Sequence, residues 1–122
     1  MRNFRLLNIW QTGFQISIKC YEITRSLPME EKFGLSTQIQ KAAVSIPSNI
    51  AEGCSRDSVK DFIRFLSIAI GSAFELETQL LIASALLYGN QELITDTLSL
   101  LTTEEKMLNN FIKTLKQDKG YK

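Results

Sequence analysis

Histidine is absent from this 122-residue chain. Most catalytic triads, neutral-pH proton shuttles and protein zinc sites use imidazole, so this one absence removes much of the enzymatic repertoire before any motif is considered. Cysteine is nearly as scarce. Cys20 and Cys54 stand far apart among apolar neighbours, forming neither a CxxC pair nor a disulfide framework, and read as two buried free thiols. Two prolines and six glycines are too few for a disordered or collagen-like chain. Long uncharged runs are missing too: residues 65–74 and 78–91 are separated by Glu75 and Glu77, and each is shorter than the roughly 18 to 20 residues of a membrane span. No membrane association is expected. The opening MRNFRLLNIWQ lacks a continuous apolar core and a small-residue cleavage site, so a signal peptide is not predicted and a cytoplasmic location is expected.

What is present is ordinary for a globular domain: 44% hydrophobic and 22% charged residues, in a length that suits one core and buries roughly two-thirds of the unfolded surface. Neither a metal nor a cofactor is needed to hold such a core together. The net charge is +1, unevenly spread. Residues 1–64 hold nine basic and six acidic groups, 65–105 hold six acidic and no basic ones, and 106–122 hold five basic and one acidic. The two ends of the chain can therefore make a basic surface jointly, although the total falls short of a dedicated nucleic-acid binder.

Apolar residues recur with helical period throughout, and nothing alternates like a half-buried strand. The spacing predicts helices over about 8–26, 35–53, 58–88 and 91–116, joined by short connections: an all-α, antiparallel up-down-up-down four-helix bundle in a single domain. Pro47 lies inside the second helix, where a missing N–H and a ring clash predict a kink or a restart, and Gly53 is the expected C-cap. Ser58, three residues before Asp61, is the expected N-cap of the third helix. That helix carries a seam of Phe62, Leu66, Ala69, Ala73, Leu76, Leu80, Ala83 and Leu87 at unbroken 4,3 steps. The end of the chain, residues 120–122, is expected to fray.

Three groups of residues are candidates for function. Trp10 and Phe14 belong to a second apolar stripe on helix one that is too wide for one neighbour. Phe65, Ile68, Ser72, Glu75 and Gln79 form a second stripe on helix three, apolar at its ends and polar in the middle. A subunit interface accounts for both stripes, and a homo-oligomer is expected. An intramolecular network with Lys41 or Asn49, or a ligand or metal site, are the other readings of the polar band. In the stretch Ser45-Ile46-Pro47-Ser48-Asn49-Ile50-Ala51-Glu52-Gly53, the polar side chains are placed to satisfy backbone groups freed by the proline. Arg56, Lys60 and Arg64, with Arg2, Arg5, Lys106, Lys113, Lys116 and Lys119, are candidate phosphate contacts, set against an ion-paired face made with Asp57 and Asp61. The alternative of a different class is a small-molecule or metal-dependent bundle enzyme using Glu52 and Glu75, which would need a pocket converging on Glu52, Glu75 and Gln79.

The stretch QIQKAAVSIPSNIAEG over residues 38–53, followed by SRDSVKDFIRFLSIAIGSAFELETQL over 55–80, resembles the four-helix-bundle proteins encoded in intervening sequences of bacterial 23S rRNA genes. The similarity spans nearly the whole chain, from Phe4-Arg5-x-Leu7-x-Ile9-Trp10-Gln11 onward. The resemblance implies a homopentameric barrel and kinship with accessory variability proteins of diversity-generating retroelements, which bind a reverse transcriptase and nucleic acid through basic surfaces. RNA or DNA, or a protein that handles them, is thus the implied partner, and no catalytic residue or cofactor is implied. Gln40-Lys41 stands here where the family usually has paired arginines.

Overall fold

The computed structural model describes residues 2–117, so Lys119 and the 120–122 tail lie outside the described residues. Four helices dominate: α1 (Asn8–Arg25), α2 (Leu35–Cys54), α3 (Val59–Ala85) and α4 (Gln91–Lys116), with 3₁₀ turns at Phe4–Leu6 and Met29–Glu31 and no strand among the described residues. The apolar period decides which faces turn inward. Ile9, Ile16, Cys20 and Ile23 of α1 meet Ile39, Ala43, Ile46 and Ile50 of α2, the α3 seam, and Ile94, Leu101, Leu108 and Ile112 of α4. Ser58 caps α3 by accepting the Asp61 N–H at 3.0 Å, and Asn90 caps α4 by accepting the Leu93 N–H at 3.0 Å. Burial pushes the Cys20 thiol up to about 12 and raises that of Cys54, against the opposing pull of Arg2, so both remain inert thiols.

Each helix packs on its neighbours in sequence, and α4 closes on α1. In every pairing one residue number falls as the other rises. Ser17 meets Ala43 and Thr24 meets Gln40 between α1 and α2; Ser45 meets Ser72 and Gly53 meets Phe62 between α2 and α3. Phe62 meets Phe111 and Glu77 meets Glu105 between α3 and α4, while Gly13 meets Glu104 and Ser26 meets Asn90 between the α1 and α4 segments. One pole of the bundle therefore gathers the start of α1, the α2–α3 turn and the end of α4. The opposite pole gathers the α1–α2 and α3–α4 connections.

Four local expectations are corrected. α2 runs unbroken through Pro47, so there is no restart, and its C-cap is Ser55. Gly53 is buried inside the helix instead, where a Cβ would stand 2.9 Å from the Phe62 ring and 3.0 Å from the Phe65 Cβ. Its missing side chain lets α2 and α3 approach. The Ala43 carbonyl, deprived of its helical donor by Pro47, accepts the Ser17 hydroxyl of α1 at 2.9 Å. Repair thus comes from the neighbouring helix, while Ser48 stays exposed and Asn49 donates to the Ser45 carbonyl and hydroxyl, both at 2.8 Å. Finally, α3 stops at Ala85, and Leu87, the last residue of the expected seam, is exposed. By length and composition α3 is also apolar enough to cross a membrane, with an 18-residue stretch of mean hydropathy 1.4 that tolerates Glu75 and Glu77. Its seam from Phe62 to Ala83 is the centre of the core.

Candidate assembly and nucleic-acid surfaces

Along the outside of α1 and α2, Trp10, Phe14, Ile18 and Tyr21 line a shallow groove of about 360 Å³ with Val44, Pro47, Ser48 and Ala51. Helical steps of three and four bring the α1 members to one face, and α2 contributes its outer edge. Phe4, Trp10 and Phe14 stack in series, with ring centroids 5.1 and 5.3 Å apart. Phe14, Ile18, Tyr21 and Val44 all remain exposed, a contiguous apolar patch of the kind that marks an interaction surface.

The mixed stripe on α3 does not stay together. Phe65 is buried beneath two guanidinium groups, Arg56 at 4.6 Å and Arg64 at 4.5 Å from its ring. Gln79 is buried with Oε1 unpartnered among the described residues. Ser72 shares a 2.8 Å hydrogen bond with Ser45, which Asn49 joins, so the intramolecular network with Asn49 accounts for that position. Ile68 and Glu75 alone face outward.

Two acidic residues of α4, Glu104 and Glu105, belong to no motif in the sequence. Glu104 is 0% exposed, and both carboxylate oxygens lack a hydrogen-bond partner among the described residues. It abuts Gly13, whose added Cβ would stand 2.9 Å from Oε2 and 3.5 Å from the Pro47 nitrogen. Pro47 offers no N–H there, and no donor reaches either carboxyl oxygen among the described residues, so the neutral acid is favoured over the carboxylate. Burial raises the Glu104 carboxyl to about 8. Next to it, burial, then a hydrogen bond and the charge of Glu77, raise the Glu105 carboxyl as well. The signal was present in the α4 rhythm: Leu101 and Leu108 skip one inward position, and Glu104 fills it.

Arg2, Arg5, Arg56, Lys60, Arg64, Lys106, Lys113 and Lys116 belong to the half of the bundle that holds the start of α1, among Glu52, Asp57 and Asp61. Arg2 donates to the Arg56 carbonyl at 3.0 Å and lies over the Phe62 ring at 4.3 Å. Arg56 pairs with Glu52 at 2.9 Å and Arg64 with Asp61 at 3.0 Å, whereas Asp57, expected to share in such a face, enters no salt bridge among the described residues. Lys60, Lys113 and Lys116 are exposed and enter no salt bridge among the described residues. Glu52 and Glu75 are not brought together: relative to the Ser45–Ser72 contact they lie in opposite directions, on the order of 15 Å apart along the axis at 1.5 Å per residue. Among the described residues no group of three metal-ligating side chains occurs.

The sequence profile of the 23S rRNA-intervening sequence proteins matches residues 5–110, which covers all of α1 to α3 and most of α4. The chain belongs to that family. Its fold is similar to the crystal structure of a protein of unknown function from the S23 ribosomal protein family of Bacteroides thetaiotaomicron VPI-5482. The TM-score is 0.79 at 28% sequence identity, over 86% of this chain and 98% of that one. No curated protein matches the chain. Membership in the intervening-sequence family thus agrees with the four-helix fold and the core seam, and names no reaction.

Proposed function

We propose that this intervening-sequence family protein is a non-enzymatic, self-associating scaffold whose basic pole holds nucleic acid once copies are assembled. The supporting observation is the exposed α1–α2 strip of Phe14, Ile18, Tyr21 and Val44, backed by Trp10. A ring needs two different faces on each copy, because a heterologous contact joins one patch to another. The strip supplies one and the α3 flank at Ile68 and Glu75 the other. The pentamer implied by the resemblance is the stoichiometry we adopt.

Ring symmetry would multiply a patch that is modest on one copy, repeating Lys60, Lys113 and Lys116 around one rim. Contacts of that kind bind phosphates without reading bases and release counterions. Binding of single-stranded RNA to the natural protein should fall with salt at a log–log slope of about −0.7 for each contact. Lys60→Glu with Lys113→Glu should weaken it at least tenfold at 50 mM salt in a filter-retention assay. No retention of RNA even at 50 mM salt would leave a protein-only scaffold, and retention that ignores both salt and these substitutions would contradict the phosphate contacts.

A further inference from the structure

At the pole opposite Arg2, Arg56 and Arg64 the fold holds large apolar side chains out in water. α3 ends in a Schellman motif, with the Tyr88 N–H donating to the Ala83 carbonyl at 2.8 Å and the Leu87 N–H to the Ser84 carbonyl at 3.0 Å. The residue after the cap must be left-handed, which is why glycine usually occupies it. Here it is Leu87, at φ 57°, the one non-glycine residue with positive φ among the described residues, and it is 79% exposed. No core burial offsets the strain on its Cβ. Leu86 is exposed beside it, and Met29 and Phe33, 83% and 89% exposed, project from the α1–α2 connection. The two connections touch: the Asn90 N–H donates to the Ser26 hydroxyl at 2.9 Å, and Gly89 packs on Leu27.

Charge around this apolar pole selects its partner. No lysine or arginine occurs from residue 65 to 105, Glu92 opens α4, and Glu30 and Glu31 follow Met29. Arg25 and Lys32 are the nearby basic groups, and the Lys32 ammonium already lies 5.5 Å from the Phe33 ring centre. That ring thus already carries a cation of the chain itself, and the carboxylates are left to attract a partner's. Nucleic acid and anionic lipid would be repelled by the acidic groups.

We propose that this pole docks a cationic amphipathic helix of a partner protein. Its apolar side chains would meet Leu86, Leu87, Met29 and Phe33, and its lysines or arginines would meet Glu30, Glu31 and Glu92. The proposal is independent of self-association, since contacts made through the bundle's flanks leave the poles free.

The probe is a labelled 18-residue helix of lysine and leucine, compared by fluorescence anisotropy with a counterpart in which glutamate replaces lysine. The lysine peptide should bind at least tenfold more tightly. Leu87→Gly relieves the left-handed strain, so it should raise Tm by about 4 °C while weakening the lysine peptide at least fivefold. A merely structural Leu87 would not separate those two readouts. Glu30→Lys with Glu31→Lys and Glu92→Lys should weaken binding more than tenfold, and Asp57→Lys at the other pole should leave it unchanged. Equal binding of the two peptides, or lysine-peptide binding indifferent to Leu87→Gly and to the charge reversals, would overturn the proposal. So would a particle mass that falls in Leu87→Gly, since that would assign the pole to a second copy of this chain.

Discussion

Glu104→Met should stabilise the protein by about 3 kcal/mol at pH 7. The native carboxyl, raised by burial to about 8 from an ordinary value of 4.5, must stay protonated in the fold at a pH where the unfolded chain has released that proton. Each unit of difference corresponds to about 1.4 kcal/mol, and two and a half units lie between 4.5 and pH 7. The sign follows directly. Below about pH 4.5 both states are protonated and nothing is lost; as pH rises towards 8 the native state binds the extra proton and stability falls. Above 8 the loss levels off. Glu105, raised by burial and by Glu77, adds to the same slope. Urea unfolding at pH 5, 7 and 8.5 checks this: the slope should shrink in Glu104→Gln and Glu104→Met, and methionine, which leaves no polar atom beside Gly13, should give the larger gain. A loss of stability in both variants would mean that the carboxylate has a partner in the native state.

The next largest effect is expected at Gly53, with Gly71 as its internal control. Both are glycines within helices, where intrinsic propensity favours replacement by up to about 1 kcal/mol. Around Gly71 nothing lies within 4 Å of an added Cβ, so Gly71→Ala should realise that gain. Gly53→Val should instead destabilise by about 3 kcal/mol. Its Cβ would press on the Phe62 ring and the Phe65 Cβ, neither of which is the free end of a flexible chain. Phe62 also packs edge-on to Phe111 and beneath Arg2, so a displaced ring would loosen three elements. Denaturant midpoints of the two variants, moving in opposite directions, would establish that α2–α3 spacing and not helix propensity governs Gly53. Midpoints moving together would refute it.

The sequence made the helices readable because their apolar rhythm is nearly unbroken, and Ser58 announced the start of α3 by its side-chain chemistry. It was silent where one residue serves two purposes. Gly53 reads as a helix end because glycine is common there, and only the packing of Phe62 shows that close approach is what requires it. Ser17 sits on a small-residue face with nothing in its neighbourhood to mark it, and its task is set by a carbonyl on another helix. The stripe from Phe65 to Gln79 reads as one surface, yet helix–helix contact buries its ends and the arginines cover Phe65, leaving Ile68 and Glu75 outside. Glu104 was legible only as a skipped beat between Leu101 and Leu108. Trp10 and Phe14 stand out in the sequence because two adjacent stripes exceed what one neighbour can bury, and in the fold they line the α1–α2 groove on which the proposed self-association rests.

That excess is the basis of the scaffold reading, and particle mass tests it most directly. Analytical ultracentrifugation at micromolar concentration should give a multiple of 13.8 kDa for the natural chain. For Phe14→Glu with Ile18→Glu, exposed positions whose replacement leaves the core intact, it should give 13.8 kDa with unchanged helical circular dichroism. A natural protein sedimenting as a single 13.8 kDa particle at that concentration would contradict the account.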